Sequence, residues 1–135
     1  MMIKNNIVPT KRVRDISFGT CSADLLHLGY KEDVAAYSEI TEWHSYTRED
    51  GITCYVENDE LICIACWNNC FLGIENIIGI DGNLLLDALG EPDKIGEPIW
   101  VDDDTQQIPY EYRKLGLQVW FENGIVVSVF CDSGS

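Results

Sequence analysis

The chain is short of positive charge, of histidine and of long apolar runs, and each shortage excludes something. Nine Lys and Arg stand against 23 Asp and Glu, a net charge of −14 at pH 7. Four of the nine positive charges (Lys4, Lys11, Arg12 and Arg14) fall in the first fourteen residues, which carry no acid. Residues 15–135 therefore set five basic against 23 acidic residues, a net −18. A field of that sign repels nucleic acid and anionic membrane surfaces, and it speeds encounter with a basic partner. The longest apolar runs, such as residues 77–80 and 84–86, are far too short to span a bilayer. Residues 1–14 carry charge but no apolar segment and no small-residue cleavage site, so no secretory signal is read and a cytoplasmic location is expected.

The tools of catalysis are also scarce. Of the two histidines, His27 falls at a surface position and His44 lies in EWHSYTRED. That segment can be drawn as an acid–base cluster with Glu42 and Asp50. No nucleophile elbow, metal motif or positioned carboxylate pair accompanies it. Gly73, Gly79, Gly82 and Gly90 do not make a phosphate-binding loop. Six cysteines are many for this length. The run Cys63-x-x-Cys66-x-x-x-Cys70 suggests zinc, yet in a strand a spacing of three puts Cys63 and Cys66 on opposite faces. No Cys/His pair with ligand spacing joins them. A turn at Asn58-Asp59 would set Cys54 across from Cys63 with Cα atoms ~4.5 Å apart, the low edge of disulfide geometry. In a reducing compartment the expected state is thiols acting as small hydrophobes. We assign no catalytic residue, no metal and no cofactor, and expect a protein that is not an enzyme.

What the chain does have is a duplicated hairpin. LGLQVWFENGIVVSVFC, residues 115–131, sets two β-branched and aromatic runs around Asn123-Gly124, a strong type I′ turn signal. Shifted by 65 positions, Gly51 falls on Gly116, Tyr55 on Trp120, Val56 on Phe121 and Cys66 on Cys131, without a gap. Ahead of each hairpin lies a short helical pattern. Thr20 or Ser22 caps Leu25, Leu26 and Leu28, stopped by Gly29; Asp81 or Asn83 caps residues 84–89, stopped by Gly90. Residues 31–40 read weakly as a further helical segment, and residues 15–18, 42–46 and 99–101 as strands. The fold class expected is α+β: a tandem repeat of a helix followed by antiparallel strands, forming one antiparallel sheet with helices on one face. Residues 1–14 form a basic arm, and residues 15–135 one domain of two repeats, about 15–66 and 77–131.

Strict alternation divides each hairpin into two faces. Leu117, Val119, Phe121, Val126, Ser128 and Phe130 share the inner face, leaving Gln118, Trp120, Val127 and Val129 outside. In the first hairpin, Ile52, Cys54, Val56, Leu61, Cys63 and Ala65 face inward, against Thr53, Tyr55, Ile62 and Ile64. The outer set is too apolar to stand bare on a soluble protein, so the arm, the linker at 66–76 or a partner must cover it. Its aromatics are either ordinary core or binding anchors. The second half also carries a four-residue insertion containing Asp102, Asp103 and Asp104, either a solvated loop tip or an acidic contact.

Two resemblances follow from these features. LGEPD at 89–93 with GLQVWFENGIVVS at 116–128 is similar to the tandem helix-plus-sheet repeat of β-lactamase-inhibitor-like proteins. LGYKED and Asn58-Asp59 depart from that unit in the first half. The size and acidity resemble the immunity proteins that neutralise bacterial contact-dependent or polymorphic toxins. The second resemblance implies a cytosolic inhibitor that blocks the active site of a basic toxin domain, a nuclease, and is a monomer before complex formation. Asp102, Asp103 and Asp104 would meet its lysines and arginines, with Tyr55, Trp120, Trp43, Tyr110 and Tyr112 as buried anchors. The alternatives are a homo-oligomeric scaffold domain, or a peptide- or ligand-binding module without catalysis.

Overall fold

Both hairpin turns form where the sequence places them. Asn58 and Asp59 have φ of 52° and 61°, and Asn123 and Gly124 have 52° and 77°, so both central residues of each turn take the positive φ that a type I′ turn requires. The computed structural model describes residues 4–49 and 51–134. In chain order it contains β1 (Ile7–Val8), β2 (Arg12–Val13), β3 (Ile16–Ser17), α1 (Ser22–His27), β4 (Lys31–Asp33), β5 (His44–Thr47), β6 (Ile52–Glu57) and β7 (Glu60–Cys66). There follow β8 (Phe71–Leu72), β9 (Glu75–Asn76), α2 (Gly82–Leu89), β10 (Lys94–Ile95), β11 (Ile99–Trp100), β12 (Gln106–Tyr112), β13 (Leu117–Glu122) and β14 (Ile125–Asp132).

This architecture corrects the expected helix-then-strands repeat. The described residues are 44% strand and 15% helix, 3-10 turns included, with a nine-stranded antiparallel sheet and two α-helices, and they contain no tandem helix–strand repeat with helices on one face. The helices are too short to make a layer: α1 has six residues and buries Leu25, and α2 has eight and buries Leu85. Leu26 and Leu28, expected on the apolar face of α1, are exposed. Residues 31–40 are not helical. They open with the edge strand β4 and a 3-10 turn at Val34–Ala36. α2 begins as its sequence requires, with the Asp81 carboxylate accepting from Leu84 N at 2.9 Å. Nor is the N-terminal segment only an arm. β1, β2 and β3 form a small sheet, and Ile7, Val13 and Ile16 join the same buried cluster as Leu25, Leu85 and the strands.

The large sheet runs β10-β12-β13-β14-β7-β6-β5-β4, with β11 also paired to β12. Its two hairpins meet along β7 and β14. There Ala65 pairs with Phe130, flanked by Ile64 with Cys131 and Cys66 with Val129. Under the 65-residue shift Ala65 and Phe130 are counterparts, so a local two-fold passes through that pair.

Each hairpin also carries a bulge at the matching place. Val56 pairs with Leu61 but Tyr55 with Cys63, skipping Ile62; Phe121 pairs with Val126 but Trp120 with Ser128, skipping Val127. An extra residue on one strand reverses the facing of all that follow it. Strict alternation therefore fails past each bulge. The core receives Ile52, Cys54, Val56, Leu61, Ile64 and Cys66 from one hairpin, and Leu117, Val119, Phe121, Val126, Val129 and Cys131 from the other. Cys63, Ala65, Ser128 and Phe130 turn to the outer face. The same bulge removes the expected Cys54–Cys63 juxtaposition, since Cys54 pairs with Ile64.

Gly116 enters β13 at φ 61°, and a Cβ there would lie 2.3 Å from the Asp132 carbonyl oxygen, whereas at Gly124 (φ 77°) nothing lies within 4 Å. Gly124→Ala should cost about 1 kcal/mol, the left-handed penalty alone. Gly116→Ala should cost about 3 kcal/mol or more, because it adds a backbone clash to that penalty. Urea unfolding of the two variants checks the ordering.

Candidate functional site

The outer face of the sheet is built around Phe130. Its ring lies 6.1 Å from Tyr55, stacked at 14°, and 5.7 Å from Trp67 and 6.4 Å from Trp120. Trp43 extends the row, 5.7 Å from Tyr55. Aromatic pairs at such separations add to simple burial. Ala65 leaves room beside Phe130 because its side chain is only a methyl group. Each indole N–H is donated locally: Trp43 to Glu57 Oε2 at 3.0 Å, Trp120 to Gln118 Oε1 at 3.0 Å and Trp67 to Thr53 Oγ1 at 3.4 Å. Rings held this way keep their orientation. Yet the cluster is not sealed, and Trp67 remains 45% exposed. Among the described residues, the N-terminal segment sends Ile7, Val13 and Ile16 into the core rather than onto this face. The linker contributes only Trp67.

Charge surrounds this centre unevenly. Strand register puts Asp33, Glu57, Glu60, Glu111, Glu122 and Asp132 on the same face, against Lys31 and Lys94. A cleft of about 660 Å³ opens beside Phe130, lined by Trp43, Cys63, Gln118, Arg113 and Asp132 among others. Burial, with the Asp132 carboxylate next, pushes the Cys63 thiol up to about 12, so Cys63 is a neutral wall of that cleft and no nucleophile. Burial likewise raises the Tyr55 hydroxyl, which stays a neutral donor.

Of the residues singled out from sequence, the structure gathers Trp43, Tyr55 and Trp120 on this face. Tyr112 is withdrawn from it: register turns the residue inward, where it is 4% exposed and its hydroxyl donates to Gly90 O at 3.0 Å. Tyr110 also faces the core, 4.5 Å from Phe121. Asp102, Asp103 and Asp104 are exposed in the loop between β11 and β12, and Asp104 N donates to Asp102 Oδ1 at 2.9 Å. That bond, with the Thr105 hydroxyl next, holds the Asp102 carboxyl below its ordinary range. The loop follows Trp100, which is 65% exposed, rather than joining the aromatic centre. Sequence reasoning missed Phe130, which alternation assigned to the core, and also Trp67 and Trp100. A search for matching aromatics in the two copies finds Tyr55 and Trp120, but not Phe130, whose counterpart is Ala65.

Two other groupings are present. His44 Nδ1 lies 2.8 Å from Glu32 Oε2, with Tyr46 OH 3.5 Å from Glu32 Oε1. The carboxylate beside His44 is thus Glu32 rather than Glu42, and Asp50 lies outside the described residues. On the core side, the sulfurs of Cys66, Cys70 and Cys131 lie within 4.8 Å of one another.

None of the six cysteines is in a disulfide among the described residues; five are buried and Cys21 is half-buried. Native protein at pH 8 should react quickly with iodoacetamide at Cys21 only, and at six sites in denaturant, as mass spectrometry would count. The raised Cys63 pKa also makes stability fall with alkali. Below the ordinary value of 9.0 the thiol is protonated in both states. Between 9.0 and about 12 only the unfolded chain releases the proton, so stability measured by urea unfolding should decline across that window, less steeply in Cys63→Ser.

Comparison with protein-family models, curated proteins and solved structures finds no match for this chain.

Proposed function

We propose that the protein is a binding module whose outer sheet face grips a basic protein domain, in the manner of an immunity protein that blocks a toxin nuclease. The observation that carries this reading is one half-exposed aromatic centre, Phe130 with Tyr55, Trp67 and Trp120, on a face that bears six acids against two lysines, with Arg113 lining the adjoining cleft. Aromatic anchors inside a charged rim are the anatomy of a protein interface, in which the rings supply affinity and the rim sets partner choice and association rate. A nuclease active site is lined with cations that hold phosphates, and the net −14 of this chain complements such a surface. Residues 102–104 and Trp100 would add a second contact at the β11–β12 end. No step of the proposal requires catalysis.

The test is co-expression with a basic toxin domain encoded beside this gene. The expected outcome is restored growth and a stable complex whose association slows as salt is raised. Trp120→Ala should weaken the complex by about 2–4 kcal/mol, roughly 30- to 1,000-fold. Tyr110→Phe, altered on the core side against Phe121, should leave affinity unchanged. Undiminished toxicity with no complex would overturn the reading, and so would a Trp120→Ala variant that binds as the parent does.

A further inference from the structure

Cys131 converges on Cys66 and Cys70, more than sixty residues earlier in the chain, beneath the aromatic face. Cys66 ends β7, Cys131 lies in β14, and Cys70 follows in the loop that leaves β7; all are at most 1% exposed. Their Sγ atoms lie within 4.8 Å of one another, and no fourth His, Cys, Asp or Glu joins the group among the described residues. We propose that Cys66, Cys70 and Cys131 form a three-sulfur site for a soft, low-coordinate metal ion, copper(I).

Geometry supports the site. Metal–sulfur bonds of about 2.3 Å in a trigonal plane place sulfurs about 4.0 Å apart, so the present triangle need contract by less than about 1 Å. The frame is fixed before any ion arrives. Cys66 and Cys131 stand on the two paired central strands, and Cys70 is pinned by its N–H to Asn76 Oδ1 at 2.9 Å and by Ile77 N to its carbonyl at 2.9 Å. Chemistry selects the ion. Structural zinc takes four ligands, and only three are offered. Thiolates select soft ions, and copper(I) accepts low coordination. The three thiols lie close enough to one another to share a single ion. Binding exchanges their protons for the ion: each sulfur that ligates as thiolate releases its proton to solvent, with no change of oxidation state, so uptake weakens as pH falls. Phe130 precedes Cys131 and Trp67 follows Cys66, so the ion would tie together the two strands that carry the centre of the aromatic face.

The experiment titrates the reduced full-length chain with copper(I) under anaerobic conditions against a competing copper(I) chelator, with metal analysis, sulfur-to-copper absorption and X-ray absorption as readouts. The expected result is one ion per chain in a sulfur-only shell, with a higher Tm for the loaded protein. Cys70→Ser should bind at least about 100-fold more weakly, and Cys63→Ser, outside the triangle, should bind as the parent does. Near-UV circular dichroism establishes that each variant is folded. If Cys70→Ser does not fold, the ligand shell of the parent decides. No uptake against the chelator, an oxygen or nitrogen shell, unchanged binding in folded Cys70→Ser, or tight zinc binding that excludes copper(I) would each overturn the proposal.

Discussion

Across β7 and β14, Ala65 faces Phe130, and through that pairing each hairpin gains a neighbour on its inner edge. An isolated two-stranded hairpin is marginal in water. Joined, the two become the centre of a nine-stranded sheet, and β5, β4, β12, β10 and β11 extend it outward. The pairing also decides which residues meet on each side. Above it the Phe130 ring gathers Tyr55, Trp67 and Trp120; below it Cys66 and Cys131 approach Cys70.

The two bulges make this division work. Without the extra Ile62 and Val127, strict alternation would send Phe130 and Cys63 into the core and turn Ile64 and Val129 outward. A large ring would then be lost from the outer face, and two β-branched side chains from a core where both are fully buried. Turning Phe130 outward leaves part of its ring exposed even after its contacts with Tyr55, Trp67 and Trp120. That exposure fits the proposal that a partner covers this face, and the excess of acids around it would favour a basic one.

The hairpins and α2 were legible because their signals are local. Asn123-Gly124 carries its own turn chemistry, and Asp81 its own cap. The faces were not legible past Tyr55 and Trp120, because a bulge is set by tertiary pairing and leaves no composition mark. The helix-plus-sheet architecture failed for a related reason. Two leucine-rich stretches of helical pattern suggested a packed helical layer, yet each sinks one leucine, and two-residue strands supply Ile7, Val13 and Ile16 instead. Of the candidate anchors, Trp43, Tyr55 and Trp120 lie on the aromatic face, while Tyr110 and Tyr112 turn inward with the register of β12. The cysteine triangle was hidden because Cys131 stands 61 residues beyond Cys70 and no local spacing joins them.

The central claim is that the bulged hairpins present one binding face. Mapping the bound surface by NMR cross-saturation from a basic toxin-domain partner tests it most directly. The account predicts saturation transfer to Trp43, Tyr55, Trp67, Trp120 and Phe130, with Glu57, Glu122 and Asp132 at the margin. Transfer confined to α1, α2 or the β1–β3 side, with those aromatics silent, would contradict it.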